Sequence, residues 1–215
     1  MLRRLGGHTA LDFVNTVDPR DGEKRVEYLR SFEDLIDWAH TGGVLKESEA
    51  RQVAQEAVGD RRAAARALDR AIALREAIYA IFVALATRRP APAGAIDELE
   101  AAYRQAMGHA RLTKKGSAFH WQVHDGLDIV RWHMARDAVA LLESNRLRRV
   151  KRCPGSGNCG WLFLDSSKNA SRRWCSMEGC GNSAKLQRFR RRHTRAPRRR
   201  PLTRRRASTR LPSRS

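Results

Sequence analysis

Four cysteines, Cys153, Cys159, Cys175 and Cys180, are the only ones in the 215-residue chain, and all lie in its last third. The spacing is Cys-x5-Cys, then fifteen residues, then Cys-x4-Cys. Two close pairs separated by a hairpin-sized insert fit a tetrahedral zinc site with four thiolate ligands. Such a site leaves the metal no open position, so one structural Zn2+ is expected and not a catalytic one. A unit of roughly 40 residues has too little core to fold alone. Zinc binding, on the order of 10–16 kcal/mol in peptide models, would supply the deficit. Ordinary buried thiols, a redox dithiol and an iron–sulfur site stay open as readings, as does His193 in place of one thiolate.

The charge follows the cysteines. Residues 1–145 are neutral, whereas residues 146–215 hold 22 Lys and Arg against Asp165 and Glu178 alone, so the net +20 sits in the last 70 residues. A neutral body with a basic end is the footprint of a polyanion binder. Lys185, Arg188 and Arg192 form one stripe of a terminal helix, and Arg191 adds to its charge. Lys168, Arg172 and Arg173 stand in the segment between the cysteine pairs. Arginine forks suit phosphate and guanine edges. These seven are the candidate nucleic-acid contacts, with a solvated charged face as the plainer alternative. DNA is the expected partner. RNA is the rival, and exposed faces of Trp161, Phe163 or Trp174 would favour it.

A second constellation, His8, Asp12 and Asn15, crowds a short N-terminal segment and could line the pocket of a small-molecule effector; helix capping and bracing would use the same residues. A hydrolase built on His8 and Asp12 lacks any spacing that assembles nucleophile, base and oxyanion donor, so no enzyme is expected. His120, His124 and His133 lack a completing ligand set for a second metal. The longest uncharged apolar run, Ala77 to Ala86, is ten residues. A bilayer takes about 20, so no membrane partner is expected. The N-terminus does not read as a signal peptide, and the expected compartment is the cytoplasm.

The elements that must carry these groups read as mainly helical. Helical periodicity marks Ser31 to His40, Lys46 to Val58, Arg61 to Thr87, Ala95 to Met107 and Leu127 to Leu142. A helix is also expected around Leu11 and Val14, and a β-hairpin over His109 to Val123. Trp38 and Trp132 are expected in the core. In the cysteine region, Trp161 to Leu164 reads as a strand, Asp165 to Asn169 as a turn and Arg172 to Trp174 as its return strand. A helix over Ser183 to His193 follows, with Leu186 and Phe189 packing on that hairpin, close to a treble-clef arrangement. Residues 195–215, with nine arginines and no acidic or aromatic residue, should form a disordered basic tail.

The segment RVKRCPGSGNCGWLFLDSSKNASRRWCSMEGCGNSAK resembles the CGNR zinc finger, and GGHTALDFVNTVDPR with YLRSFEDLIDWAHTGGVL resembles the ABATE domain that precedes that finger in bacterial proteins. The resemblance implies a stress-induced transcriptional regulator with three parts. Residues 1–145 would be a helical sensor or dimerisation domain, which makes a homodimer a further expected partner. Residues 146–194 would be a four-cysteine finger that contacts DNA, and 195–215 the Arg-rich tail. By position it implies the same four zinc ligands. The family Cys-Gly-Asn-Arg stands here as Cys180-Gly181-Asn182-Ser183, so the Arg is missing, and Ser183 is expected to cap the helix instead. The first cysteine pair is one residue wider than the family pattern implies.

Overall fold

The longest helix sets the frame. The computed structural model describes residues 3–22, 24–123, 126–155 and 159–193, and its central element is Arg61–Ala86. Taken in chain order, the helices are α1 (Thr9–Val14), α2 (Phe32–Thr41), α3 (Glu47–Gly59), α4 (Arg61–Ala86), α5 (Ala93–Gly108), α6 (Ile129–Glu143) and α7 (Asn182–His193). The Asp60 carboxylate accepts from the Ala63 amide at 2.8 Å and so caps α4. Its Leu68, Leu74, Ile78, Ile81 and Phe82 are buried at helical spacing, and Ala64, Ala67 and Ala71 let neighbours approach closely. α1, α2, α3, α5 and α6 all pack on it. Ser31 caps α2, as its sequence suggests, by accepting from the Asp34 amide.

Three two-stranded antiparallel sheets complete the described residues. β1 (Val17–Asp18) pairs with β2 (Val26–Glu27). β3 (Ala110–Lys115) pairs with β4 (Ala118–Val123), the hairpin expected from the sequence. β5 (Val150–Arg152) pairs with β6 (Leu162–Leu164), in the register Val150↔Leu164, Lys151↔Phe163, Arg152↔Leu162.

The last sheet corrects one expectation. β6 forms where Trp161 to Leu164 predicts a strand, but its partner precedes the first cysteine and is not Arg172 to Trp174. The reason is Asp165. This fully buried carboxylate accepts from the Ser167 amide at 2.9 Å, the Ser167 hydroxyl at 2.6 Å, the Arg172 amide at 2.9 Å and Lys151 Nζ at 2.6 Å. Residues 166–172 therefore wrap around one charge instead of extending. Burial would raise the Asp165 pKa, but Lys151 and the Ser167 donors outweigh it and hold the carboxyl well below its usual range.

β5 and β6 do not form a separate bead. Val150, Leu162 and Leu164 belong to the same buried cluster as Leu11, Phe13, Leu74, Ile78 and Phe82 of the body. A second, smaller cluster, Trp161 and Phe163 with Cys153 and Cys175, lies around the cysteines. Trp38 and Trp132 are buried, as expected. Among the described residues no helix is long and apolar enough to cross a membrane. The tail, 195–215, and His124 lie outside the described residues.

Candidate metal centre and basic helix

Cys153 follows β5 and Cys159 precedes β6, so the first pair forms a knuckle between two paired strands. The Cys153 amide donates to the Trp161 carbonyl at 2.7 Å and closes it. Gly155 turns the chain at φ +51°, and a Cβ there would lie 2.6 Å from the Cys159 Cβ, so no larger residue fits without movement. Cys175 precedes and Cys180 lies within a turn, Met177–Gly181, that Ser176 caps by accepting from the Gly179 amide at 3.3 Å. The Cys175 amide points at Cys153 Sγ, 3.4 Å away, which joins the two knuckles.

The four Sγ atoms all lie within 4.8 Å of one another. Cys159 and Cys175 are 3.7 Å apart, and Cys175 and Cys180 3.6 Å. Zinc–thiolate bonds of about 2.3 Å place tetrahedral sulfurs about 3.8 Å apart, whereas a disulfide needs about 2.05 Å. The four cysteines are thus able to hold one zinc ion. The crowding also shows why a cation belongs there. Contacts from the Cys159 and Cys175 thiols pull the Cys153 thiol far below its normal range, and contacts from Cys153 and Cys175 push Cys159 far above it. Four thiolates coexist only with a positive charge at their centre. His193 is not in this cluster, which consists of the four cysteines, and its Nδ1 lies 2.9 Å from the Phe189 carbonyl on its own helix.

The N-terminal segment and α4 grip the first knuckle. The Arg20 amide donates to the Cys159 carbonyl at 2.8 Å, the Tyr79 hydroxyl to the Gly160 carbonyl at 2.9 Å, and Trp161 Nε1 to the Val17 carbonyl at 3.0 Å. Beneath them the buried Arg20 guanidinium meets Glu76 at 2.7 Å, and the buried Arg75 meets Glu27 at 2.7 Å. Arg152 pairs with Asp21. Sequence reasoning missed this network, because its partners are far apart in the chain and no local spacing pairs them.

The N-terminal candidates belong to the same junction. Asn15 accepts from the Leu162 amide at 3.0 Å and donates to the Leu162 carbonyl at 2.8 Å, which pins β6 to the end of α1. Asp12 accepts from the Gly6 amide at 2.8 Å, and burial raises its pKa. His8 Nδ1 accepts from the Ala10 amide at 3.3 Å to cap α1, and burial lowers its pKa. All three side chains hold partners within the chain and serve as caps and braces.

Three expectations about the basic surface change. Arg172 is turned inward: it donates to the Trp174 carbonyl at 2.9 Å, the Leu5 carbonyl at 3.2 Å and the Cys175 carbonyl, and lies over the Phe163 ring. Orphan carbonyls around the second knuckle attract the one donor fork that reaches them all. Ser183 does not cap α7; it sits within the first turn, and Ser176 caps the turn Met177–Gly181 that leads into the helix. Leu186 and Phe189 do not pack on the hairpin but are 49% and 58% exposed, because Trp161 and Phe163 already fill the small core. Lys168, Arg173, Lys185, Arg188, Arg191 and Arg192 are exposed, as a contact surface requires.

Residues 7–145 match the family model of ABATE, described as "Putative stress-induced transcription regulator", and residues 149–193 match the CGNR zinc finger. A comparison with curated proteins finds no match.

Proposed function

The chain belongs to the ABATE family and carries a C-terminal CGNR zinc finger, and from that premise we propose that it is a transcription regulator that binds duplex DNA through the finger. The observation that carries this reading is α7. It bears Lys185, Arg188, Arg190, Arg191 and Arg192 with no acidic side chain, and Ala184 is its one buried residue. A helix so charged repels itself unless a polyanion screens it. In this reading the zinc is structural, the helical body senses or dimerises, and no residue acts as a catalyst. Duplex DNA is favoured over RNA because Trp161 and Phe163 are buried and Trp174 is half-buried beneath Arg173, leaving no stacking platform on β6.

The test is duplex-DNA binding by the zinc-loaded protein across a salt series. With roughly 6–10 phosphate contacts, affinity falls on the order of 10³–10⁵ between about 50 and 200 mM salt. A shallow salt dependence, or structured RNA outcompeting duplex DNA, contradicts the proposal.

A further inference from the structure

The solvent face of α7 is apolar at its centre. Successive helical residues are about 100° apart. Measured from the buried Ala184, Leu186, Phe189 and His193 lie at about 200°, 140° and 180°, on the side opposite it, and all three are exposed. Phe189 and His193 lean together with ring centroids 3.9 Å apart and extend the ridge. Lys185 and Arg192 flank it at about 100° and 80°, and Arg190 flanks it on the other side at about 240°. The ridge therefore runs between Lys185 and Arg192 on one side and Arg190 on the other.

We propose that α7 enters the major groove of duplex DNA ridge first, with Leu186 and Phe189 against thymine C5-methyl groups and Lys185, Arg190 and Arg192 on the phosphates of the two walls. This rests on the reading that the finger binds duplex DNA. The fit is one of shape and chemistry. A helix about 10–12 Å across matches a groove about 12 Å wide. The groove has phosphates on both sides, as the helix has cations on both flanks. The thymine methyl is the apolar group on its floor, and an apolar ridge leaves the hydrogen-bonding edges of G·C pairs unmatched. Two large apolar side chains are too few to seat a helix in lipid. A second copy of α7 on the ridge would bring like charges face to face.

The experiment selects tight binders from duplexes with a randomised 20-bp centre, using the full-length, zinc-loaded protein. The recovered duplexes are then remade with 2′-deoxyuridine for every thymidine, which removes the methyls and keeps the phosphates. Burying a methyl is worth about fourfold, so two contacts predict a loss of affinity of roughly fifteenfold. The Leu186→Ala/Phe189→Ala variant should bind the thymidine and deoxyuridine duplexes equally, with an unchanged salt slope. Both substitutions are at exposed positions in a good helix-forming context, and zinc content with circular dichroism checks that the variant is folded. Equal wild-type affinity for the two duplexes, with salt-steep binding retained, overturns the groove assignment while leaving DNA binding intact. Failure to bind any duplex in a salt-steep manner overturns the DNA reading and this inference with it. Self-association that the double variant abolishes identifies the ridge as a self-contact and also overturns it.

Discussion

The two halves of the finger meet at one metal site and differ in almost everything else. The first half, from Val150 to Asp165, is built into the body: Leu162 and Leu164 share a core with Phe13 and Phe82, and Asn15 holds both backbone groups of Leu162. The second half, from Ser176 to His193, rests on its own capped turn and buries Ala184 in its helix. A helix of twelve residues is marginal in water by itself. Zinc therefore has unequal work to do. It adds little to a knuckle that Arg20, Tyr79 and Trp161 already hold, and it is the main tie on the half that carries the basic helix. Matching family models to 7–145 and 149–193 divides the chain by sequence; the core divides it later, near the second cysteine pair.

The largest expected effect follows from cutting that tie. Cys175→Ser should reduce bound zinc from one ion per chain to none by metal analysis. Circular dichroism should show loss of helix equivalent to α7, while the main thermal transition of the body survives. Loss of the whole transition would mean that zinc folds more than the second half.

Leu162→Ala probes the other side of the comparison. Truncating this buried residue should cost about 3 kcal/mol. For a chain of this size that lowers Tm by about 6–12 °C. The shift should appear in the transition of the helical body, read by calorimetry. A shift confined to zinc release would make the finger a separate unit.

Asp165→Asn gives a smaller effect and a pH signature. Removing the charge that Lys151 and the Ser167 and Arg172 donors satisfy should cost about 2 kcal/mol near pH 7. Because the carboxyl is held below its usual range, its contribution is full above the ordinary aspartate pKa of about 3.9 and is lost as pH falls through the folded value. The variant should therefore show a flatter stability–pH curve below about pH 4. An unchanged slope would remove Asp165 from its place at the hub of the loop.

What the sequence made legible was local. The periodicity of α4 and the hairpin of β3 and β4 are written in neighbouring residues, and both appear where they were expected. The cysteine spacing predicted the metal centre because ligand sets recur at short intervals. Apart from the cap expected of Ser183, the failures were long-range. Nothing near Leu162 says that its partners are Asn15 and Arg152 and not Trp174. The pairings of Arg20 and Arg75 are not legible locally, because Glu76 and Glu27 become partners only after the chain closes on α4. Leu186 and Phe189 form a stripe whichever way the helix faces, and only Ala184, a small residue with little pattern of its own, fixes the direction. Asp165 had one legible sign: it is one of only two acidic residues after position 145.

The unequal role of zinc is tested most directly by amide hydrogen exchange on the zinc-loaded and the chelator-stripped protein. The account predicts that the Leu162 and Leu164 amides, which donate to Asn15 and to the Gly6 carbonyl, keep their protection after stripping. The amides of 184–192 in α7 should exchange freely. Simultaneous loss of protection in β6 and α7 would contradict it and make the finger one unit folded by its metal.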